Sequence, residues 1–260
     1  KFHSDTRHDL LSELLAHSED AGDHNLPLLY WYGAESLVEH DPDLAVDLLA
    51  DCRIDLVRNL LVRRIAQLGT EQALDGLVRR LPGDDAGASA FLREMIVGLQ
   101  GARRVPMPEA WSSVYPKLAK SADAGIRDAA ESLSLTFGDP QVVEALEQSL
   151  ADKSAEPKRR QAALAALVKA QVKGLVPKLI GLFADDVMRG PALRSLAAYD
   201  DATIPHAILG IYGALTPAEK RDALGTLAAR VRYAQALLNA VAADVVPRAE
   251  LSADLIRQLR

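Results

Sequence analysis

Apolar residues recur along the whole chain at the three- and four-residue spacing of amphipathic helices. Leu10, Leu11, Leu14 and Leu15 form the first such stripe, and similar stripes follow as helix pairs with a period of roughly 30 to 40 residues. Long β-branched runs of alternating polarity, which are typical of strands, do not occur. The pattern therefore predicts an all-α protein.

Capping residues and breakers divide these stripes into short helices. Asp41-Pro42, Thr70 and Thr216-Pro217 are start signals, and Gly69 and Gly138 are stop signals. Pro116 predicts a break or kink within its helix. The predicted helices cover 6–17, 27–40, 44–52, 54–68, 70–81, 87–100, 126–137, 142–150, 158–171, 175–184, 187–199, 204–215, 217–230, 232–243 and 250–260.

One short helix pair cannot bury both of its apolar stripes, whereas stacked neighbouring pairs share a continuous core. We therefore expect one HEAT-like α-solenoid domain of antiparallel helix pairs over residues 1–260, with an irregular stretch at 82–122. A bundle or globin-like arrangement is the alternative. Residues 1–5 do not form a signal peptide and 254–260 continue a helical pattern, which predicts an excised segment of a larger protein.

Charge and hydropathy restrict the partners. The chain has 36 acidic and 30 basic residues, a formal net charge of -6, so nucleic acid is not an expected partner. The arginine pairs at 63–64, 79–80, 103–104 and 159–160 lie among acids and predict solvated faces with local ion pairs. No apolar stretch is long enough to predict a membrane-spanning segment.

The sequence predicts no catalytic or metal site. Cys52 is the single cysteine, which excludes an internal disulfide or thiolate cluster and favours a core position. Five of the six histidines lie in the first forty residues, but none has a His-x-x-x-His partner. A divalent-cation site built from His17, Asp20, Asp23 and His24 is the alternative to surface histidines and caps.

The segment 23–35 has the highest concentration of aromatic and potentially functional residues in the chain. An apolar run with three consecutive aromatics predicts a helix that is buried on nearly all sides. If Glu35 is buried it needs a cation, for which Arg63 and Arg64 are candidates. The same residues are also typical of a partner-binding ridge. The candidate interaction or structural motif is Asp23, His24, Asn25, Trp31, Tyr32 and Glu35.

This segment, DHNLPLLYWYGAE, resembles the HEAT-repeat region of large planctomycete-type haem-binding proteins, also described as membrane-bound dehydrogenases. The stretches LRSLAAYDDATIPHAILGIYGALTPAEKRDALGTLAAR (193–230), YAQALLNAV and DLIRQLR extend the resemblance, which is weaker at 82–122. It implies a dehydrogenase-like propeller before the repeats, a c-type cytochrome domain after them, and a periplasmic or cell-envelope location. The haem is implied only for the parent protein, because Cys52 has no Cys-x-x-Cys-His context and no cofactor is expected in this segment.

These observations predict a non-catalytic scaffold or protein-interaction module, whose partners are a protein or the adjacent domains of the same chain. The resemblance implies that it is the spacer between the propeller and the cytochrome domain. The alternative is an enzyme, because some HEAT-like proteins are DNA glycosylases that hold duplex with Trp, Asp and Arg. Trp31, Trp111 and the arginine pairs are the residues available for that role, and the acidic charge disfavours it.

Overall fold

The computed structural model describes residues 4–102 and 105–258, and all regular secondary structure within these ranges is helical. The sixteen α-helices there are α1 Ser4–Leu15, α2 Leu26–His40, α3 Pro42–Asp51, α4 Asp55–Gln67, α5 Glu71–Arg79, α6 Asp85–Gly98, α7 Trp111–Leu118, α8 Ala124–Phe137, α9 Pro140–Ala151, α10 Pro157–Lys169, α11 Leu175–Gly181, α12 Arg189–Ser195, α13 Thr203–Ile211, α14 Pro217–Ala228, α15 Val231–Ala242 and α16 Ala253–Gln258.

The helices form two compact units, Lys1–Val142 and Val143–Arg260. In unit 1, α2, α4, α6 and α8 pack side by side as one layer, and α1, α3, α5 and α7 form a second. Unit 2 has the same alternation, with α10, α12, α14 and α16 in one layer and α11, α13 and α15 in the other. The prediction of an all-α, solenoid-like fold is confirmed. The prediction of one domain over 1–260 stays a prediction.

Most predicted helix boundaries agree with the structure because local capping chemistry sets them. The Asp41 and Asp84 carboxylates accept hydrogen bonds from the third amide of the helix that follows each of them. Thr216 and Glu219 form a reciprocal capping box at the start of α14. Gly138 ends α8 with φ of 69°, a left-handed conformation that glycine adopts without a Cβ penalty.

The expected break at Pro116 is wrong, since α7 continues through it to Leu118, and the alternative expectation of a kink stays a prediction. A proline in a helix lacks the amide that would bond the carbonyl four residues earlier, here that of Ser112. Ser112 and Pro116 are both exposed, so water can satisfy that carbonyl. The neighbouring loop-like stretch is non-helical where it is described, and Arg103 and Arg104 lie outside the described residues.

Three first-turn arginines fasten the connections between helices. The Arg58 Nε donates to the Cys52 carbonyl at 3.1 Å, and the Arg189 Nε donates to the Phe183 carbonyl at 2.6 Å. Arg127 Nη1 donates to the Ser121 carbonyl at 2.7 Å. In each case the acceptor lies six residues earlier, at or near the end of the preceding helical segment, where carbonyls lack helical partners. We call these contacts the arginine clamps.

Polar contacts also join helices of neighbouring repeats. The Thr226 hydroxyl donates to the Leu193 carbonyl at 2.7 Å, and Arg63 pairs with Glu94 at 2.7 Å. Arg80 donates to the Val46 carbonyl at 2.6 Å. The partners are 33, 31 and 34 residues apart, about one repeat. Each contact therefore links a repeat to its immediate neighbour.

Two buried polar contacts are central to the packing of the units. In unit 1, the fully buried Trp111 donates its indole N–H to the Ser134 hydroxyl at 2.7 Å. In unit 2, Arg160 Nη2 lies 2.7 Å from Asp185 Oδ2, and their side chains are 4% and 9% exposed. The expectation of a solvated face is therefore wrong for Arg160. The Arg160 guanidinium holds the pKa of the Asp185 carboxyl below its ordinary value. Removing one partner from either contact leaves a buried polar group unpaired.

Replacing Ser134 by Ala removes the acceptor of the Trp111 indole. We expect the free energy of unfolding of unit 1 to fall by about 1–3 kcal/mol, the cost of a buried donor without a partner. Urea denaturation followed by tryptophan fluorescence measures this, because Trp31 and Trp111 both lie in unit 1. The control Thr136→Ala is exposed on the same helix, and an equal loss in both variants would contradict the prediction.

Asp185→Asn should lower the free energy of unfolding by roughly 3 kcal/mol at neutral pH, because it leaves the Arg160 charge buried and unpaired. The Asp185 carboxylate stabilises the fold above the ordinary aspartate pKa of about 4, and this contribution is lost as pH falls through the lowered folded-state pKa. The difference in the free energy of unfolding between wild type and variant should therefore narrow from pH 5 towards pH 2.

Denaturation followed by circular dichroism at each pH tests this expectation. The neighbouring Asp186 is exposed and pairs with Arg189 at the surface, so Asp186→Asn is the matched control. It should change stability by less than about 1 kcal/mol. A gap between wild type and Asp185→Asn that stays constant with pH would contradict the role assigned to Asp185.

Candidate functional site

The start of α2 is organised by Asp23. Its Oδ1 accepts hydrogen bonds from the amides of Asn25 at 2.8 Å and Leu26 at 2.9 Å, and these bonds lower the pKa of the carboxyl. Asp23 therefore satisfies the first amide of α2, although the N-cap position itself belongs to Asn25. His24 and Asn25 are exposed, and Asn25 occupies the N-cap position without a side-chain cap bond.

The expectation that α2 is buried on nearly all sides is wrong. Its buried residues are Pro27, Tyr30, Ala34, Leu37 and Val38. On the opposite side Leu28, Leu29 and Tyr32 are 42%, 60% and 65% exposed. The helix packs against α1, α3 and α4, which cover only part of its circumference. An apolar run alone does not reveal that one side of a helix lacks a neighbour.

The three consecutive aromatics of α2 have different environments, because successive helical residues point about 100° apart. Tyr30 is buried and its hydroxyl donates to Asp20 Oδ2 at 2.8 Å. Trp31 is half-buried against the core of unit 1, whereas Tyr32 projects into solvent. The predicted aromatic ridge is therefore divided between a core residue, an edge residue and a surface residue.

The predicted cationic partner of Glu35 is Arg64, whose Nε lies 3.7 Å from Glu35 Oε1. Arg64 also pairs with Glu39, one turn further along α2, a contact that the sequence analysis missed. The i, i+4 spacing of the two glutamates was the available signal. Glu35 is 42% exposed, so this pair lies at the surface, and Arg63 pairs with Glu94 of α6 instead.

The alternative cation site is not formed. His17 Nδ1 lies 2.8 Å from Glu19 Oε1, while Asp20 accepts from Tyr30 and Asp23 caps α2. Across residues 4–102 and 105–258 no group of three His, Cys, Asp or Glu side chains has metal-binding geometry. His3 lies outside the described residues.

Three of the residues considered for duplex binding are engaged within unit 1. Trp111 is fully buried, and Arg79 and Arg80 pair with Asp75 and Asp47.

Cys52 is 3% exposed, and burial is the largest influence raising the pKa of its thiol. Its position in the core agrees with the sequence prediction.

Two surface clefts occur elsewhere in the described chain. One, of about 320 Å³, lies between the first turns of α4 and α6 and contains Asp55, Arg58 and Asp84. The other, of about 240 Å³, lies beside α14 and is lined by Lys220 and Glu250 among others. Asp55 pairs with Arg58, Asp84 accepts from the amide of Gly87, and Lys220 pairs with Glu250. By contrast, the exposed side of α2 presents large apolar side chains that are not covered by a neighbouring helix.

No helix in the described part of the chain is long and apolar enough to cross a bilayer. Comparison of the sequence with models of protein families gives no match, and comparison with curated proteins gives none either.

The Tyr30 hydroxyl anchors the 3-10 turn Ser18–Gly22 to α2 through Asp20. Tyr30→Phe should lower the free energy of unfolding by about 1 kcal/mol and increase amide exchange in residues 18–23. Tyr32→Phe is the matched control, because its side chain is largely exposed on the same helix. Hydrogen-exchange mass spectrometry distinguishes the two variants, and equal exchange in residues 18–23 would contradict the anchoring role.

Proposed function

We propose that this chain is a non-catalytic helical-repeat module that binds a protein partner or the adjacent domains of its own polypeptide. The single observation that supports this proposal is the exposed side of α2, where Leu28, Leu29 and Tyr32 are presented together beside half-buried Trp31. Large apolar side chains grouped on an exposed face are typical of interaction sites. Tyr and Trp are also the residue types that most often dominate binding energy at protein interfaces.

The packing behind α2 favours binding by a preformed surface. Ala34 and Leu37 are fully or almost fully buried on the opposite side of the helix, and Arg64 fixes its C-terminal half to α4. A helix held in this way presents its outer side chains with little backbone entropy left to lose on binding. Such a surface suits a scaffold, in which the position of the partner is the function.

The family resemblance extends the proposal to the parent protein. Under it, the module separates a dehydrogenase-like propeller from a c-type cytochrome domain in an exported oxidoreductase of the cell envelope. The cytochrome domain would then bind the haem, and the propeller would be its partner in electron transfer. This extension is supported by the phrases at 23–35 and 193–230, and reading the gene on both sides of this segment tests it.

A photo-crosslinking amino acid in place of Tyr32 tests whether the exposed side of α2 binds a protein. In cells of the source organism, we expect one discrete crosslinked product, formed with a partner or with an adjacent domain of the same chain. The control places the same amino acid at Val231, which is 90% exposed in unit 2. Products of equal abundance from both positions, or none from position 32, would contradict the proposal.

A further inference from the structure

The net charge of the protein is confined to its first forty residues. Residues 1–40 contain eight of the 36 acids and two of the 30 bases, and therefore carry the whole formal charge of -6. Residues 41–260 contain 28 acids and 28 bases and are neutral overall. Charge asymmetry of this kind favours a partner of opposite charge, because the summed field of a segment steers association.

Among the described residues, only two of these eight acids, Glu35 and Glu39, form an ion pair with Lys or Arg, and both share Arg64. Asp5, Asp9 and Glu13 are exposed and four residues apart, so they form one row along α1. In the described residues no Lys or Arg forms an ion pair with any of the three, and the His8 imidazole lies 3.5 Å from Asp9 Oδ1. Like charges at this spacing repel one another and destabilise a helix.

The exposed apolar residues lie beside this row because α1 and α2 pack against each other. Arg7 of α1 donates to the Ser36 hydroxyl of α2. Leu11 packs closely on Gly33, since a Cβ added to this glycine would lie 3.2 Å from Leu11 Cδ2. These two contacts define an antiparallel seam. On α1, Leu10 is 53% exposed and lies three residues from Arg7, on the side that borders the seam.

The α2 side of the seam continues the apolar surface. Leu29 lies seven residues before Ser36, on the helical row that faces α1, and Leu28 and Tyr32 form the adjacent row. That second row continues along the helix to Glu35 and Glu39. We define the seam strip as Leu10, Leu28, Leu29 and Tyr32.

Acids therefore border the seam strip on three sides. The row Asp5, Asp9 and Glu13 lies along its α1 edge. Asp20 and Asp23 lie in the connection that closes one end of the α1–α2 pair. Glu35 and Glu39, which share Arg64, lie beyond Tyr32 at the other end.

We propose that the seam strip binds a cationic amphipathic helix of a protein partner. This inference rests on the proposed function and names the chemistry of the partner. The apolar face of such a helix, with anchors at i, i+3 or i+4, and i+7, would cover the strip, and its flanking Lys and Arg residues would pair with the bordering acids. Covering the strip removes exposed Leu and Tyr from water, and the charges set orientation and specificity.

A designed peptide pair tests the charge of the partner directly. The probe is an 18-residue amphipathic helical peptide of Leu and Lys, and its counterpart replaces every Lys by Glu. Isothermal titration calorimetry with the whole chain should detect binding of the Lys peptide and at least tenfold weaker binding of the Glu peptide. Raising the salt concentration from 50 to 500 mM should lower the affinity for the Lys peptide by about tenfold, because salt screens surface charges. Equal binding of the two peptides would overturn the proposal.

Variants of the strip and of its border locate the binding surface. Leu29→Ser with Tyr32→Ser, and separately Asp9→Asn with Glu13→Gln, should each weaken the Lys peptide by about tenfold, the effect of losing roughly 1.4 kcal/mol. All four residues are exposed, so the fold is retained. The matched controls in unit 1 are exposed Leu56→Ser, and Glu71→Gln with Asp128→Asn. Losses of affinity for the Lys peptide that are as large in the controls would overturn the assignment of the binding surface to the seam strip.

The crosslinking experiment at position 32 separates this inference from the proposed function. A crosslinked protein whose contacting segment is cationic and helical supports both. A crosslinked segment that is acidic or uncharged overturns the inference and leaves the proposed function in place. No crosslink at position 32 overturns the function itself, whatever the peptides do.

Discussion

Short helices impose the constraint on which this structure depends, because every helix end leaves backbone groups without intrahelical partners. Helices of six to fifteen residues make such ends frequent. Asp and Thr caps satisfy amides at the starts, as at Asp41 and Thr70. At the other end of the connections, the arginine clamps supply donors to carbonyls at or near the ends of the preceding helical segments. The two devices together let the chain turn sharply between helices, and the apolar stripes can then stack into layers.

The sequence predicts the parts of the fold that are determined locally. The stop at Gly138 and the helix start at Thr216-Pro217 follow from residue chemistry at adjacent positions, so the sequence predicts them. The arginine clamps could not, because an arginine in a first helical turn is indistinguishable from a solvated one until the preceding carbonyl is located. The error at Pro116 has a related origin, since the tolerance of a helix for proline depends on the exposure of a carbonyl four residues earlier.

The candidate site was identified from composition but not from geometry. The three consecutive aromatics predict the helix that carries the site, and Arg64, one of the two predicted partners of Glu35, does pair with it. Which aromatic is buried depends on which neighbours surround the helix, and the sequence does not specify them. Tyr30 and Tyr32 are the same residue type two positions apart, yet one anchors a turn and the other projects into solvent.

The polar contacts between repeats have a consequence for how the chain acquires its structure. Thr226 reaches Leu193, Arg80 reaches Val46 and Arg63 reaches Glu94, and each contact closes a loop of little more than thirty residues. Contacts of short sequence separation cost little loop-closure entropy and are associated with rapid folding. In an array of this kind, structure can begin in one repeat and spread to the next. On the ribosome, an early helix pair can therefore become ordered while later repeats are still being synthesised.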